Sequence, residues 1–356
     1  MDLEQILKKA AEVHASDIFM VSGLPLTYKI NNRIVREDEI RLMPEDTEQL
    51  ILAMYHFAGE RDSEHMLETG DDDFSFSLVG ISRFRVNVYR QRGSLSAVIR
   101  VVAFELPDPR GLGIPEIVLD LGDRTRGLIL VTGAAGSGKS TTLACIIDRI
   151  NKTRNTHVIT LEDPIEYLHR HEKSIISQRE IATDTESYMV ALRASLRQAP
   201  DVILLGEMRD YETMGVAMTA AETGHLVIST LHTMGVVNTI DRIIDAFPPN
   251  QQGQIRVQLS MVLQAVVSQQ LIPTVDGTVA PVFEVMMVNP AIRNMIRESK
   301  IHQIENVVSS SQSEGMISMD ASLMALFQEG RITRQDAIMY SISPELMERK
   351  LGPNSR

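Results

Sequence analysis

An apolar run, Leu128–Val131, passes through Thr132 and stops at a glycine-rich loop, Gly133-Ala134-Ala135-Gly136-Ser137-Gly138-Lys139-Ser140, and a helical pattern starts at the lysine. This G-x-x-x-x-G-K-S spacing between a buried strand and a helix constrains the chain more than any other feature. The glycines let successive backbone N–H groups turn inward, and the helix N-terminus adds the positive end of its dipole, so the loop is shaped to cradle phosphates. On this reading Lys139 reaches the β- and γ-phosphates of ATP and Ser140 ligates Mg²⁺. Ala134, Ala135, Ser137 and the following Thr141 complete the cradle.

The pattern around the loop is α/β. Strand-like runs at Gly127–Thr132, His157–Leu161, Val202–Leu205 and Leu226–Leu231 alternate with helical runs at Lys139–Ile150, Ser187–Arg197 and Tyr211–Glu222, the signature of a parallel sheet covered by helices. Ligands of such sheets sit beyond the carboxyl ends of the strands. Glu162 and Asp163 follow one strand, Glu207 follows another behind Gly206, and His232 follows a third. Many phosphate-loop enzymes place a metal-binding Asp where this chain has Gly206. Glu207 is therefore read as the base that orients the attacking water, and Glu162 with Asp163 as the metal-side carboxylates. His232 is placed to sense the γ-phosphate, whereas His225, at the opposite end of its strand, reads as structural.

From Pro248 onward the pattern reads as mostly helical, with a strand at Val279–Val288, and the Gln-rich region 251–270 is expected to be one helix. Residues 1–104 read as a smaller α+β domain. It has a helix near Leu3–Val13, a hairpin turning at Asn31-Asn32, a helix opened by Pro44, and a strand in which Phe84, Val86 and Val88 alternate with Arg83, Arg85 and Asn87. Glu105–Pro115 holds three prolines and two glycines in eleven residues, too many for a helix or strand, and residues 105–117 are expected to be a linker to a domain spanning 118–356.

Composition narrows the function. The single cysteine excludes an intrachain disulfide or a multi-thiolate zinc module, no apolar run reaches bilayer length, and nothing at the N-terminus resembles a signal peptide. Cytoplasmic residence is the expectation. The net charge of −12 counts against nucleic acid as the main partner, because phosphate-backbone binding draws on a basic face.

The segments ITLEDPIEY (159–167), LRQAPDVILLGEMRD (196–210), TAAETGHLVISTLHT (219–233), DRIIDAFP (241–248) and AIRNMIRES (291–299) resemble the PilT family of type IV pilus retraction ATPases, within the secretion-ATPase superfamily. The resemblance implies a PAS-like N-terminal domain and a RecA-like ATPase domain, assembled as a homohexamer with ATP between subunits. It maps the family's Asp box to Glu162–Asp163, its Walker B glutamate to Glu207 and its His box to His225–His232. Arg83, Arg85 and Arg100 correspond to N-terminal arginines that complete the neighbouring nucleotide site. AIRNMIRES resembles the family's retraction signature, with Met295 where leucine is usual, while the chain after Ile304 departs from the family pattern.

The implied function is an ATP-driven motor for pilus retraction and twitching motility. It would work at the cytoplasmic face of the inner membrane against a platform protein. Alternatives are an accessory retraction ATPase of the PilU kind, an extension or type II secretion ATPase, or a nucleic-acid translocase. The second usually carries a four-cysteine module that this chain cannot build.

Overall fold

The structure is a computed structural model that describes residues 2–30, 33–102 and 106–352. Two compact units divide the chain: Met1–Glu105 with Ile165–Leu168, and Leu106–Pro164 with His169–Arg356.

The first unit is built on a six-stranded antiparallel sheet. Its strands are β1 (Asp17–Met20), β2 (Pro25–Ile30), β3 (Arg33–Arg41), β4 (Asp71–Leu78), β5 (Ser82–Gln91) and β6 (Ser94–Val102), in the spatial order β3-β2-β1-β6-β5-β4. Period-2 alternation aims Phe84, Val86 and Val88 of β5 into the core and leaves Arg83 and Arg85 on the other face. Helices Leu3–Glu12 and Pro44–Phe57 bury Leu7, Ile51 and Met54 in that core. The Asn31-Asn32 turn expected between β2 and β3 lies outside the described residues. β4, rich in aspartate and serine, is a strand that its composition does not announce.

The second unit carries a seven-stranded sheet. Its strands are β7 (Gly127–Thr132), β8 (His157–Glu162), β9 (Ile175–Glu180), β10 (Val202–Leu205), β11 (Leu226–Leu231), β12 (Leu263–Pro273) and β13 (Val279–Met287), ordered β13-β12-β7-β11-β10-β8-β9. All pairs are parallel except β12 with β13. Alternate residues of each strand feed two cores. Leu128, Leu130, Ile203, Leu205 and Val266 pack against helices Tyr211–Glu222, Val236–Ala246 and Pro290–Arg297. Ile129, Val131, Leu204, Ala265 and Val267 pack against helix Lys139–Thr153. Burial on both faces removes the polar alternation that marks a half-exposed strand.

That same double burial corrects the reading of the Gln-rich region. Residues 251–270 are not one helix. A helix runs over Pro249–Val262 and turns directly into β12, which lies between β7 and β13. A short apolar run buried on both faces has no period that separates strand from helix, and pairing with β7 decides it. The register shifts by one residue between Leu263 and Ala265, a bulge at Gln264 beside Gly127, where an added Cβ would stand 2.5 Å from Gln264 Cγ.

The stretch read as a linker is also more ordered than expected. Glu105 lies outside the described residues, but Asp108 accepts the N–H groups of Arg110 and Gly111, and Ile114 is buried in the second unit's core. Among the described residues no helix is long and apolar enough to cross a membrane.

Candidate functional site

β7, β11, β10 and β8 are consecutive neighbours in the sheet, and their carboxyl ends present the phosphate loop, His232, Glu207 and Glu162 in that order. The parallel register fixes this alignment: Leu205 pairs with Leu161 and with Ser229, and Thr132 pairs with Leu231.

In the phosphate loop, Gly133, Gly136 and Gly138 all have positive φ, at 145°, 75° and 87°. Gln269 lies against two of them, and against Gly133 with its backbone. A Cβ on Gly133 would stand 2.2 Å from the Gln269 carbonyl oxygen, and one on Gly138 would stand 2.8 Å from Gln269 Nε2. Ala134, Ala135 and Gly136 are exposed at the rim, while Ser137, Lys139 and Thr142 are buried. The Lys139 ammonium donates to the carbonyls of Gly133 and Ala134 at 2.9 and 2.8 Å, bridging the loop from within. Ser140 and Thr141 are half-buried in the first turn of the helix. Beside that turn lies a cavity of about 320 Å³ bordered by Leu112, Ile114, Thr141, Leu271 and Pro281.

Glu207 and His232 are brought together. His232 Nε2 lies 3.3 Å from Glu207 Oε2, and Arg209 donates to Oε1 at 2.5 Å. Burial pushes the Glu207 carboxyl up, but the hydrogen bonds and charges of Arg209 and His232 outweigh it and hold the group below the usual range. The three residues border a cavity of about 340 Å³ with Thr230, Thr233 and Arg242.

Glu162 ends β8, where it accepts from Thr160 Oγ1 at 2.5 Å and from Gln178 Nε2 at 3.2 Å. Asp163 follows it and is exposed. Tyr188, for which spacing gave no signal, sits among these groups. Burial, then the charges of Glu207, Asp163 and Glu162, push its phenol up. Tyr188 also explains Gly206: a Cβ there would stand 2.8 Å from Tyr188 Oη and 3.1 Å from the Leu161 carbonyl oxygen. A side chain at this position would therefore crowd Tyr188 and the Leu161 backbone.

The loop after His232 is held from β12 and β13, which lie beyond β7 in the sheet. Gly235 N–H donates to Ser268 Oγ of β12, and Val236 N–H to Glu284 Oε2 of β13, both at 2.9 Å. Ser268 and Glu284 are register partners, so two cross-strand side chains satisfy successive N–H groups at the start of helix Val236–Ala246. His225, at the other end of β11, places Nδ1 3.0 Å from the Ala220 carbonyl oxygen, a local structural contact.

Arg83, Arg85 and Arg100 lie on the first unit's sheet, each with a partner there: Arg83 with Ser75 at 2.8 Å, Arg85 with both oxygens of Asp73, and Arg100 with Asp17 at 3.3 Å. In AIRNMIRES, Ile292 and Ile296 are fully buried, while Arg293 donates to the Ser260 and Met261 carbonyls at the end of helix Pro249–Val262. This amphipathic helix is therefore tied to the start of β12.

Comparison with known proteins gives the family. Residues 1–333 match the family described as type II/IV secretion system protein. The type IV pilus retraction ATPase PilT of Pseudomonas aeruginosa is 41% identical over 345 residues, which span 97% of this chain and 99% of that relative. The chain belongs to the PilT family. The type IV pilus ATPase PilU of the same organism is 39% identical, over 96% of this chain and 89% of its own length. A crystal structure of the pilus retraction motor PilT with bound ADP superposes with a TM-score of 0.87 at 46% identity, covering 98% and 99% of the two chains. The RecA-like fold with a smaller N-terminal α+β part is thus the PilT-family fold.

Proposed function

We propose that this PilT-family protein is a ring-forming motor that hydrolyses ATP to power type IV pilus retraction. The observation that carries the proposal is the sequence of four adjacent strand ends: phosphate loop, His232, Glu207, Glu162. Lys139 would leave the Gly133 and Ala134 carbonyls and turn its ammonium to the β- and γ-phosphates. The nucleoside would occupy the cavity beside Thr141, which Arg110, Gln269 and Arg331 also line. Glu207, held ionised, would orient the attacking water, and His232 would face the γ-phosphate across from it.

Ser140, Glu162 and Asp163 offer an all-oxygen donor set, which suits a hard divalent cation such as Mg²⁺. Among the described residues no three His, Cys, Asp or Glu side chains converge as a metal site of their own. The remaining positions of the ion would be filled by phosphate and water, and it would supply positive charge to the phosphates. In the ring, Arg83, Arg85 and Arg100 of an adjacent subunit would have to exchange their present acidic or hydroxyl partners for phosphate. The proposed partners are five further copies of the chain and an inner-membrane platform protein at the cytoplasmic face.

Deletion of the gene is the test. Retraction requires hyperpiliated cells that no longer twitch; loss of pili would assign the protein to extension instead. The similarity to PilU favours one second reading, an accessory retraction ATPase. Retraction that persists in the deletion strain until a second retraction ATPase is also removed would select it.

A further inference from the structure

We propose that Gln269 of β12 is a positioning residue for the phosphate-binding loop. This rests on the nucleotide reading above and adds to it a residue outside the loop motif.

Gln269 is 3% exposed and Thr142 is fully buried. They are 127 residues apart in sequence, yet Thr142 Oγ1 donates to Gln269 Oε1 at 2.7 Å. The other end of the same amide lies under Gly138, where an added Cβ would stand 2.8 Å from Nε2, and the backbone carbonyl of Gln269 fills the space beside Gly133. One residue therefore backs the first glycine of the loop, its last glycine and the first helical turn.

Between Gly138 and Thr142 stand Lys139, Ser140 and Thr141, the residues aimed at phosphate. The N–H groups of that turn must point along one direction to act together on an anion. The amide of Gln269 braces both ends of this short span. The carbonyl contact at Gly133 belongs to the strand path and survives substitution; the Thr142 bond belongs to the side chain and does not. A polar core residue with no role in binding would make the same hydrogen bond, but its loss would act on stability alone.

The experiment is a double-mutant cycle on the full chain, with ADP and inorganic pyrophosphate as separate probes in calorimetric titrations. Gln269→Met removes the amide at similar length, Thr142→Val removes the hydroxyl at similar shape, and Thr142→Ser keeps the hydroxyl. The expected result is that Q269M and T142V each weaken both probes about tenfold, as befits one buried hydrogen bond. The double variant should lose no more than either single one, and T142S should bind like the parent. If Q269M does not fold, the contrast of T142V with T142S carries the test. Unchanged affinities in folded variants, additive losses in the double variant, or a loss for ADP without a loss for pyrophosphate would each overturn the proposal. A parent protein that binds neither probe would instead remove the nucleotide reading on which it stands.

Discussion

Glu207 and His232 follow different strands, 25 residues apart in the chain, and meet at 3.3 Å because β10 and β11 run parallel in matched register. The pairing leaves Arg209 on the second oxygen of the same carboxylate. A glutamate held from both sides is oriented before any substrate arrives.

Two substitutions should separate binding from turnover. Glu207→Gln keeps the shape of the site, so ADP affinity should stay within about twofold of the parent while phosphate release falls by about 10²–10³-fold. Lys139→Ala should instead abolish measurable ADP binding, since hydrogen bonds from a charged group contribute about 1.5–3 kcal/mol each. Titration calorimetry beside a phosphate-release assay reads both; robust turnover in the Gln variant would remove Glu207 from catalysis.

On the proposed role of Glu207, Arg209 is expected to set the acid limit of the reaction. With Arg209 present, Glu207 is held below its ordinary value and remains ionised as the pH falls. In Arg209→Ala the burial that pushes the carboxyl up meets less opposition, so the acid limb of kcat/KM should move to higher pH. Because Arg209 is exposed, the shift should shrink as salt is added. An acid limb that does not move would mean another group limits activity.

Glu284 makes stability depend on pH near neutrality. Burial pushes its carboxyl up, the Val236 N–H opposes this, and Glu305 and Asp320 add to it, leaving the group at about 7 against an ordinary 4.5. Between those values the folded chain keeps a proton that the unfolded chain has lost. The contribution is whole below the lower value, declines as pH rises, and is gone above the upper one, a change of about 3 kcal/mol. Glu284→Gln retains an acceptor for the Val236 N–H and cannot ionise. Thermal melts should place the variant above the parent at about pH 8 and level with it near pH 5.

The fit of Gly206 against Tyr188 gives a steric prediction. Gly206→Ala should destabilise the protein by about 1–3 kcal/mol, the usual range for forcing a methyl into packed space. Adding Tyr188→Phe removes the oxygen 2.8 Å from that methyl and should restore part of the loss in denaturant melts, leaving the Leu161 carbonyl contact. No recovery would place the obstruction at Leu161.

The phosphate loop was legible because its chemistry requires fixed residue types at fixed spacing, and the strands beside it because they are short apolar runs ending in polar residues. β12 was not legible, since Ala265-Val266-Val267 is buried on both faces and fits a helix as well as a strand. Its two working residues, Ser268 and Gln269, then passed as part of a Gln-rich helix. Tyr188 and Arg209 were missed for another reason: each acts through a contact between separate elements, and no local spacing encodes that. The arginines of β5 and β6 were visible as a charged strand face, yet their pairing with Asp73 and Asp17 depends on how six strands line up.

Ser268 and Gln269 are joined by one peptide bond, and they hold the His232 loop on one face of the sheet and the phosphate loop on the other. Ser268 is paired with strands on both sides and Gln269 with β13, so this dipeptide offers a common datum for both loops. A change of distance between Lys139 and His232 during a catalytic cycle must then arise in the loops themselves. On the proposed function, mechanical give would then belong to the loops that meet the nucleotide, with the strand beneath them as the ruler.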